Sequence, residues 1–288
     1  MRGWASLALS GWLIVSASLH AAPVTLTDDR GVTVQLARPA QRVVTLAPSL
    51  TELAFAAGAG PAVVGVVAYS DYPPAAANLP VVASSGGIDV EGVLAVKPDL
   101  VLAWRSGNRP ADLARLEKLG IPVLVTEPHR LADVPRILRL IGRAAGTEAS
   151  AGAAAGAFEA DLAALRAQYA GAREVTVFYQ VWERPLRTIG GAHIIDEAIS
   201  ICGGRNVFAD LQPLAPEVTL ESVIAADPEV VLVSGGDDTV PSSWARLMSL
   251  RAVTRGHVYG IDASLVERAT PRLTQGIAQI CEPLTRAR

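Results

Sequence analysis

The sequence lacks the short motifs that identify most enzyme classes. It has no G-x-S-x-G nucleophile elbow, no H-E-x-x-H zinc motif, no Walker phosphate loop and no C-x-x-C pair. Its four histidines are scattered, and no two have the spacing of metal ligands. We therefore predict no catalytic residues and no metal site. An extracytoplasmic enzyme with an active site in a cleft remains the weaker hypothesis.

Strong charge is also lacking. Charged residues make up 18% of the 288 residues, the formal net charge is -3, and no five consecutive residues carry charges of one sign. Neither nucleic acid nor an anionic membrane surface is therefore an expected partner. The hydrophobic fraction is 50%, which is enough to bury the cores of two modest lobes.

Cysteine is scarce, with two residues, Cys202 and Cys281, both in the second half of the chain. An even pair without a flanking histidine cluster, in an oxidising compartment, is more simply a structural disulfide than a metal or redox site. Two separately buried thiols are the alternative, because free cysteine is itself a common core residue.

The chain begins with a stretch typical of a secretory leader. A basic Arg2 is followed by an apolar run from Trp4 to Leu19 and by the small residues Ala21 and Ala22. The run is shorter than the roughly 18 to 20 residues of a membrane span, and no cysteine lies nearby to carry a lipid anchor. We predict that residues 1–22 are a cleaved signal peptide.

One stretch of the sequence occurs twice. Val90–Leu102 reads VEGVLAVKPDLVL, and Leu220–Leu232 reads LESVIAADPEVVL, which aligns with it without a gap. In each copy apolar residues recur at helical spacing, a proline ends the helix, and a short β-branched run follows. Each copy is predicted to be one helix-to-strand unit. One such unit in each half of the chain predicts two similar α/β lobes with a ligand cleft between them.

The segment between the two copies is rich in alanine and lacks proline, which predicts a helix over residues 149–171. At 1.5 Å per residue it would run about 30 Å and could join two lobes as a rigid spine. An ordinary surface helix within one lobe is the alternative. The predicted fold class is α/β, with Rossmann-like lobes at residues 23–148 and 172–288 joined by this single long helix.

A helix is predicted to begin directly after the short strand Val43–Ala47. Ser49 and Glu52 have the spacing of a capping box, and Gly58 supplies a stop. Loops at the carboxyl ends of strands are where open α/β sheets hold ligands. Pro48 and Ser49 are therefore candidate ligand-binding residues.

Aromatic and guanidinium groups follow other predicted strands, at Tyr69, Trp104, Trp182 and Arg268. Their flat rings with a polar handle suit a planar or sugar-like ligand. Each could instead pack in the core or between the lobes. We take these four, together with Gly87 of a glycine-rich turn, as further candidate ligand-binding residues.

Five segments resemble the cobalamin-binding proteins of bacterial ABC importers, a periplasmic family whose lobes are joined by a single helix (class III periplasmic binding proteins). The likeness covers nearly all of the mature chain. The segments are VVTLAPSLTELAFAAG at 43–58, YSDYPP at 69–74, KPDLVLAWRSGN at 97–108, CGGRNVF at 202–208 and ERATPR at 267–272.

The resemblance implies a ligand site and a disulfide. Tyr69, Trp104 and Arg268 would line a corrin site, and Cys202 would pair with Cys281. It further implies a monomeric periplasmic protein without a lipid anchor, which has no cofactor of its own and carries cobalamin or a related corrinoid to the permease.

The same resemblance gives the glutamate of each repeat a role. Glu91 and Glu221 look like the two carboxylates of the lobe surface that dock on arginines of the permease subunits. A glutamate in the first turn of a helix is also stabilised by the helix dipole, which alone could account for either residue.

The chain departs from close cobalamin binders at three places. Ser85, Ala215 and Leu265 stand where those proteins have further tryptophans. Cobalamin, a precursor corrinoid and haem therefore all remain candidate ligands, with a ferric siderophore as a further alternative for this fold. A haem binder would need an axial donor such as Tyr69 or His193.

Overall fold

The computed structural model describes residues 22–235, 238 and 240–288. The predicted signal peptide therefore lies outside the described residues, apart from Ala22. Within the described ranges, no helix is long and apolar enough to cross a membrane.

The strands are short and mostly rich in valine, leucine and threonine. They are β1 (Val24–Thr27), β2 (Thr33–Leu36), β3 (Val43–Thr45), β4 (Val63–Val67), β5 (Val81–Ser84), β6 (Gly87–Ile88), β7 (Leu100–Trp104), β8 (Val123–Thr126), β9 (Val175–Gln180), β10 (Gly204–Asn206), β11 (Val230–Ser234) and β12 (Val258–Ile261). β1 and β2 form an antiparallel hairpin. The pattern does not predict β5, β6 and β10, which have two to four residues each and lie at or next to sheet edges.

The α-helices alternate with the strands along most of the chain. They are α1 (Pro48–Ala56), α2 (Val90–Ala95), α3 (Pro110–Lys118), α4 (Asp133–Ala145), α5 (Glu148–Tyr169), α6 (Ile194–Ile201), α7 (Leu220–Ala226), α8 (Arg251–Thr254), α9 (Ala263–Val266) and α10 (Leu273–Arg286). In α4 and α6 a periodic apolar stripe is followed by a glycine of positive φ, Gly146 and Gly203, which ends the helix.

Two sheets form the framework of the molecule. The first has six strands in the order β6-β5-β4-β3-β7-β8, and the second has four in the order β10-β9-β11-β12. All neighbours are parallel except β5 and β6. The order β4-β3-β7-β8 therefore repeats in the second sheet. We refer to the six-stranded sheet with α1–α4 as the N-terminal lobe, and to the four-stranded sheet with α6–α10 as the C-terminal lobe.

The predicted repeat occupies the same place in each lobe. α2 leads into β7, and α7 leads into β11. The side chains of Asp89 and Thr219 cap the two helices by accepting hydrogen bonds from backbone N–H groups of the first turn. Lys97 and Asp227 align in the two copies, and both have positive φ, 45° and 42°. The two copies thus share even their uncommon backbone turn.

α5 packs against both lobes, against α4 on one side and against α6 and α10 on the other. Its buried stripe consists of Ala151, Ala155, Phe158 and Leu162. The approach to α4 is close, since a Cβ atom added to Gly142 would lie 2.4 Å from that of Ala151. The helix lies where the sequence predicts it, and its small residues fasten it to the N-terminal lobe.

The buried apolar side chains form one continuous cluster that includes both sheets and α5. Two smaller clusters cover the opposite faces of the sheets, one around Val101 and Leu116 and the other around Phe178 and Trp244. Composition alone predicts that the chain can bury two cores. It does not predict that the two cores are continuous through α5 and so join the lobes.

The predicted disulfide is present. Cys202, directly after α6, is bonded to Cys281 in α10, and both residues are fully buried. The bond ties α10, the helix nearest the C-terminus, to the C-terminal lobe. Among the described residues no free cysteine remains.

Candidate ligand-binding site

A cavity of about 260 Å³ lies between the lobes. Its wall is formed by residues that follow β3, β7, β8 and β9, together with the start of α6 and the segment after α9. Carboxyl ends of parallel strands from both sheets thus meet at one cleft. The volume is below the roughly 300–1,000 Å³ of pockets that enclose a drug-sized molecule. A ligand as large as a corrin would therefore extend out of the cavity.

The structure brings most of the predicted ligand residues to this cleft. Pro48, Ser49, Trp104 and Arg268 line the cavity. The other three candidates, Tyr69, Trp182 and Gly87, are not part of its wall. Tyr69 and Trp182 are 82% and 63% exposed and lie beside it, because the Tyr69 carbonyl accepts a hydrogen bond from Arg268 and Trp182 follows the lining residue Val181. Gly87 lies in β6, the edge strand of the six-stranded sheet.

Trp104 is held in place at the end of β7. Its indole Nε1 donates to Oε1 of Glu127 at 3.2 Å, and its backbone N–H donates to Oδ1 of Asn108 at 2.7 Å. Gly107 lies against the ring, since a Cβ atom there would be 2.0 Å from Cε3 of Trp104. The ring is therefore fixed on one face and remains 39% exposed towards the cleft.

Glu127 is a site residue that sequence reasoning missed. It follows β8, is 8% exposed, and accepts hydrogen bonds from the backbone and side chain of Ser106 at 2.7 and 2.9 Å as well as from Trp104. The sequence does contain one signal for this role, because Glu127 is an acidic residue directly after a buried strand, where parallel sheets bind ligands.

Four charged side chains bridge the lobes and form what we call the interlobe ion cluster, Glu52, Asp71, Arg268 and Arg272. Glu52 of α1 lies between the two arginines, 2.9 Å from Nη1 of Arg268 and 2.7 Å from Nη2 of Arg272. The Glu52 side chain is 2% exposed, so the contact is nearly free of water. The cluster joins the N-terminal lobe to the start of α10 directly.

Asp71 completes the cluster with Oδ1 at 2.6 Å from Nη1 of Arg268. The hydrogen bond from Arg268 lowers the pKa of Asp71 below the usual value of an aspartate. The carboxylate therefore stays ionised, and the ion pair intact, until the pH falls below that usual value. Arg272 also lies over the ring of Tyr72, 3.9 Å from its centroid.

The predicted capping box of α1 is wrong. The helix begins at Pro48, and Ala47 at its N-cap position provides no side-chain hydrogen bond. Proline is well suited to the first turn because its missing N–H would have no partner there. The Glu52 carboxylate is taken up by two guanidinium groups instead of a backbone N–H. The predicted stop is correct, since Gly58 has φ +82° just after the helix.

His193 lines the cavity and caps α6, with Nδ1 accepting a hydrogen bond from the backbone N–H of Ile195 at 3.1 Å. Burial, helped by the charge of nearby His129, lowers the pKa of His193 to about 4. The imidazole is therefore neutral near pH 7 and carries its hydrogen on Nε2.

Glu91 and Glu221 lie in the first turns of α2 and α7 and are both exposed. Each helix begins at the carboxyl edge of its sheet, because it leads back to a parallel strand. The two carboxylates therefore occupy equivalent positions on the two lobes, near the edges that form the cleft.

Residues 43–265 match the model of the family described as periplasmic binding protein. The chain belongs to this periplasmic binding protein family. Its two α/β lobes, long joining helix and interlobe cleft are the class III form of that fold. Membership makes the protein a solute-binding protein and not an enzyme.

Several members are similar to this periplasmic binding protein over most of their length. The vitamin B12-binding protein of Yersinia pestis (strain Pestoides F) is 38% identical over 248 residues, which is 86% of this chain and 88% of the relative. The crystal structure of the periplasmic vitamin B12 binding protein BtuF of Vibrio cholerae superposes with a TM-score of 0.80 and 35% identity, covering 86% and 98% of the two chains. The periplasmic heme-binding protein RhuT from Roseiflexus sp. RS-1 gives a TM-score of 0.77 and 26% identity, covering 86% and 99%.

Proposed function

We propose that this protein is the substrate-binding component of an ABC importer, which captures cobalamin or a related corrinoid in the periplasm and delivers it to the membrane permease. The observation that carries the proposal is the cleft between the lobes, where the fixed ring of Trp104 faces a cavity flanked by the exposed rings of Tyr69 and Trp182. Similarity to vitamin B12-binding proteins at 35–38% identity supports the same ligand class.

A corrin has a flat apolar face and a rim of amide groups, and the cleft offers partners for both. The aromatic rings provide flat contact area at low cost in side-chain entropy. Tyr69 has φ +65°, an uncommon conformation for this residue type, and Arg268 donates to its carbonyl at 3.3 Å. Strained backbone that is held by a neighbouring side chain is a frequent feature of binding sites.

A haem-binding protein of the same fold is the second candidate, because RhuT is similar over 86% of the chain. One observation counts against His193 as an axial ligand. Its Nδ1 caps α6, so Nε2 carries the hydrogen and has no lone pair for iron unless the cap is given up. A haem binder would then depend on the exposed Tyr69. A ferric-siderophore binder would be a third variant of this fold.

The proposal also covers the processing, oligomeric state and domain bounds of the chain. Residues 1–22 would be the signal peptide of a periplasmic protein without a lipid anchor, and the mature protein would act as a monomer. The N-terminal lobe would span residues 23–148, the linking helix 149–171 and the C-terminal lobe 172–288. The separate sheets and the helix Glu148–Tyr169 between them support this division.

Mixing the purified mature protein with cyanocobalamin, and separately with haemin, tests the ligand. After desalting, we expect the protein fraction to retain corrin absorbance at one equivalent. Trp104→Ala and Tyr69→Ala should each weaken binding by about tenfold or more, because a large flat contact is lost. The visible spectrum and a titration measure both effects.

Leu119→Ala is the matched control for this test. Leu119 is 49% exposed just after α3, at the end of that helix away from the cleft, and its variant should bind as the wild type does. A retained Soret band without corrin absorbance would replace cobalamin by haem. Absence of both colours would refute the ligand assignment.

Glu91 and Glu221 are proposed to dock the two lobes on arginines of the permease subunits. We expect Glu91→Ala and Glu221→Ala each to weaken the complex with the permease by about tenfold, and the effect to shrink at high salt. Binding of the purified protein to permease in detergent or nanodiscs measures it.

Glu174→Ala is the control for docking, since Glu174 is an exposed carboxylate just before β9, at the opposite edge of its sheet. Cyanocobalamin titration of each variant in parallel separates a docking defect from a misfolded lobe. If both single variants bind the permease like the control, the docking role is refuted.

A further inference from the structure

The cavity wall has an unbalanced charge. Its ionisable side chains are those of Glu127, His129, His193, Glu267 and Arg268. Two of these, Glu127 and Glu267, are carboxylates on opposite lobes. In the part of the chain that the structure describes, neither carboxylate has an ion-pair partner. Their hydrogen bonds come from neutral groups, which supply no compensating positive charge.

Arg268, the guanidinium group of this set, is already neutralised. Arg268 lies 2.9 Å from Glu52 and 2.6 Å from Asp71, so two carboxylates of the interlobe ion cluster share its charge. Of the two imidazoles, His193 is uncharged near pH 7, because burial lowers its pKa to about 4. A ligand in the cavity therefore meets negative charge from both lobes.

The two carboxylates differ in how they are held. Glu127 is buried and accepts three hydrogen bonds from Trp104 and Ser106, so it is fixed at the N–H edge of the indole ring. Glu267 retains solvent-accessible surface at the cleft and accepts a hydrogen bond from Oγ of Ser234 at 2.5 Å. Its partial burial raises the pKa of the carboxyl above the usual range of a glutamate, and the bond from Ser234 opposes that shift. Both have acceptor oxygens and no donor hydrogen when they are ionised.

We propose that Glu127 and Glu267 make the site selective for a tetrapyrrole whose rim carries neutral amides, and against one of equal size whose rim carries carboxylates. This inference rests on the proposed corrinoid function. An amide N–H can donate to either glutamate. A ligand carboxylate in its place would lose its hydration and face a like charge in a partly enclosed space, which disfavours binding. The disfavoured class includes porphyrins with propionate side chains and corrinoids with a hydrolysed amide.

Cyanocobalamin and its monocarboxylic acids are the probes for this test. The acids are made by hydrolysing one peripheral propionamide at a time, so each differs from the parent by a single negative charge on the same corrin. For the wild type we expect the dissociation constant of at least one acid to exceed that of cyanocobalamin on the order of tenfold, as a like charge a few Å away implies. In Glu267→Gln this ratio should fall towards one. Tryptophan fluorescence titration measures it.

Glu127→Gln is a second variant, on the other lobe, in which the ratio of the two dissociation constants should also fall towards one. The matched control is Glu148→Gln, which removes a carboxylate from a different cavity between α4 and α5 and should keep the wild-type ratio. Because the readout is a ratio of two ligands on one protein, a general change of affinity does not affect it.

The outcomes separate this inference from the proposed function. If the wild type binds cyanocobalamin but shows equal affinity for all of its acids, the charge selectivity is refuted and the transport function stands. The same holds if both glutamine variants keep the wild-type ratio. If the wild type binds no cyanocobalamin, the proposed function itself is refuted.

Discussion

Replacing Glu52 with alanine is expected to lower the free energy of unfolding by about 3–5 kcal/mol. The substitution removes the carboxylate that Arg268 and Arg272 share and leaves two guanidinium groups, 17% and 16% exposed, without their buried partner. Arg268 keeps Asp71 as a partner, but Arg272 loses the ion pair it makes with Glu52, and an uncompensated charge in such surroundings costs more than the intact pair contributes. Urea unfolding at pH 7, followed by circular dichroism, measures the loss.

Two further variants make this test specific. Glu52→Gln keeps the shape and one acceptor oxygen but not the charge, so its loss should be intermediate. Glu159→Ala breaks an ion pair with Arg139 in which both side chains are nearly half exposed, and it should cost only about 0.2–1 kcal/mol. If Glu52→Ala and Glu159→Ala lose the same small amount, the interlobe ion cluster does not stabilise the fold.

Local patterns predict much of this fold. The repeat at Val90–Leu102 and Leu220–Leu232 is visible because each copy contains its own helix signal, its own proline and its own buried strand. The end of α4 has a local signal of the same kind, since its apolar stripe is followed by Gly146, which has φ +70°. Each of these signals acts within a few residues, so a single sequence contains it in full.

Contacts between distant residues are not predicted in this way. Glu52 and Arg268 are 216 residues apart, and a glutamate three places after a serine looks the same whether it caps a helix or pairs with a distant arginine. The capping-box prediction fails for this reason. Resemblance to a family predicts a ligand-binding role for Arg268, and the structure shows that the same side chain lines the cavity and ties the lobes together.

The ligand site is predicted in part for a related reason. Trp104 and Arg268 are recognised because each follows an element that ends at the cleft. Glu127 is missed because its role depends on the indole of Trp104 and the hydroxyl of Ser106, which only the pairing of β7 with β8 brings close. Gly87 is placed in a turn by its glycine neighbour, although it belongs to a two-residue edge strand. Such short strands give too few residues for an alternation to appear.

Removing the disulfide by the double substitution C202A/C281A is expected to lower the free energy of unfolding by about 4 kcal/mol. The bond joins residues separated by 79 positions, so its loss frees a long loop in the unfolded chain and raises the entropy of that state. Both cysteines are fully buried beside Ile277, and alanine leaves only a small cavity there. Guanidinium unfolding of the oxidised wild type and of the variant measures the difference.

Reduction of the wild type provides the matched control, because it breaks the same bond without changing the sequence. The reduced wild type and C202A/C281A should agree within about 1 kcal/mol, since the small cavity is the difference that remains between them. The loss should appear as a shift of one cooperative transition, because a single buried cluster joins the C-terminal lobe to α5 and the N-terminal lobe. Two separate transitions, of which only one shifts, would contradict that continuity and show that the lobes unfold independently.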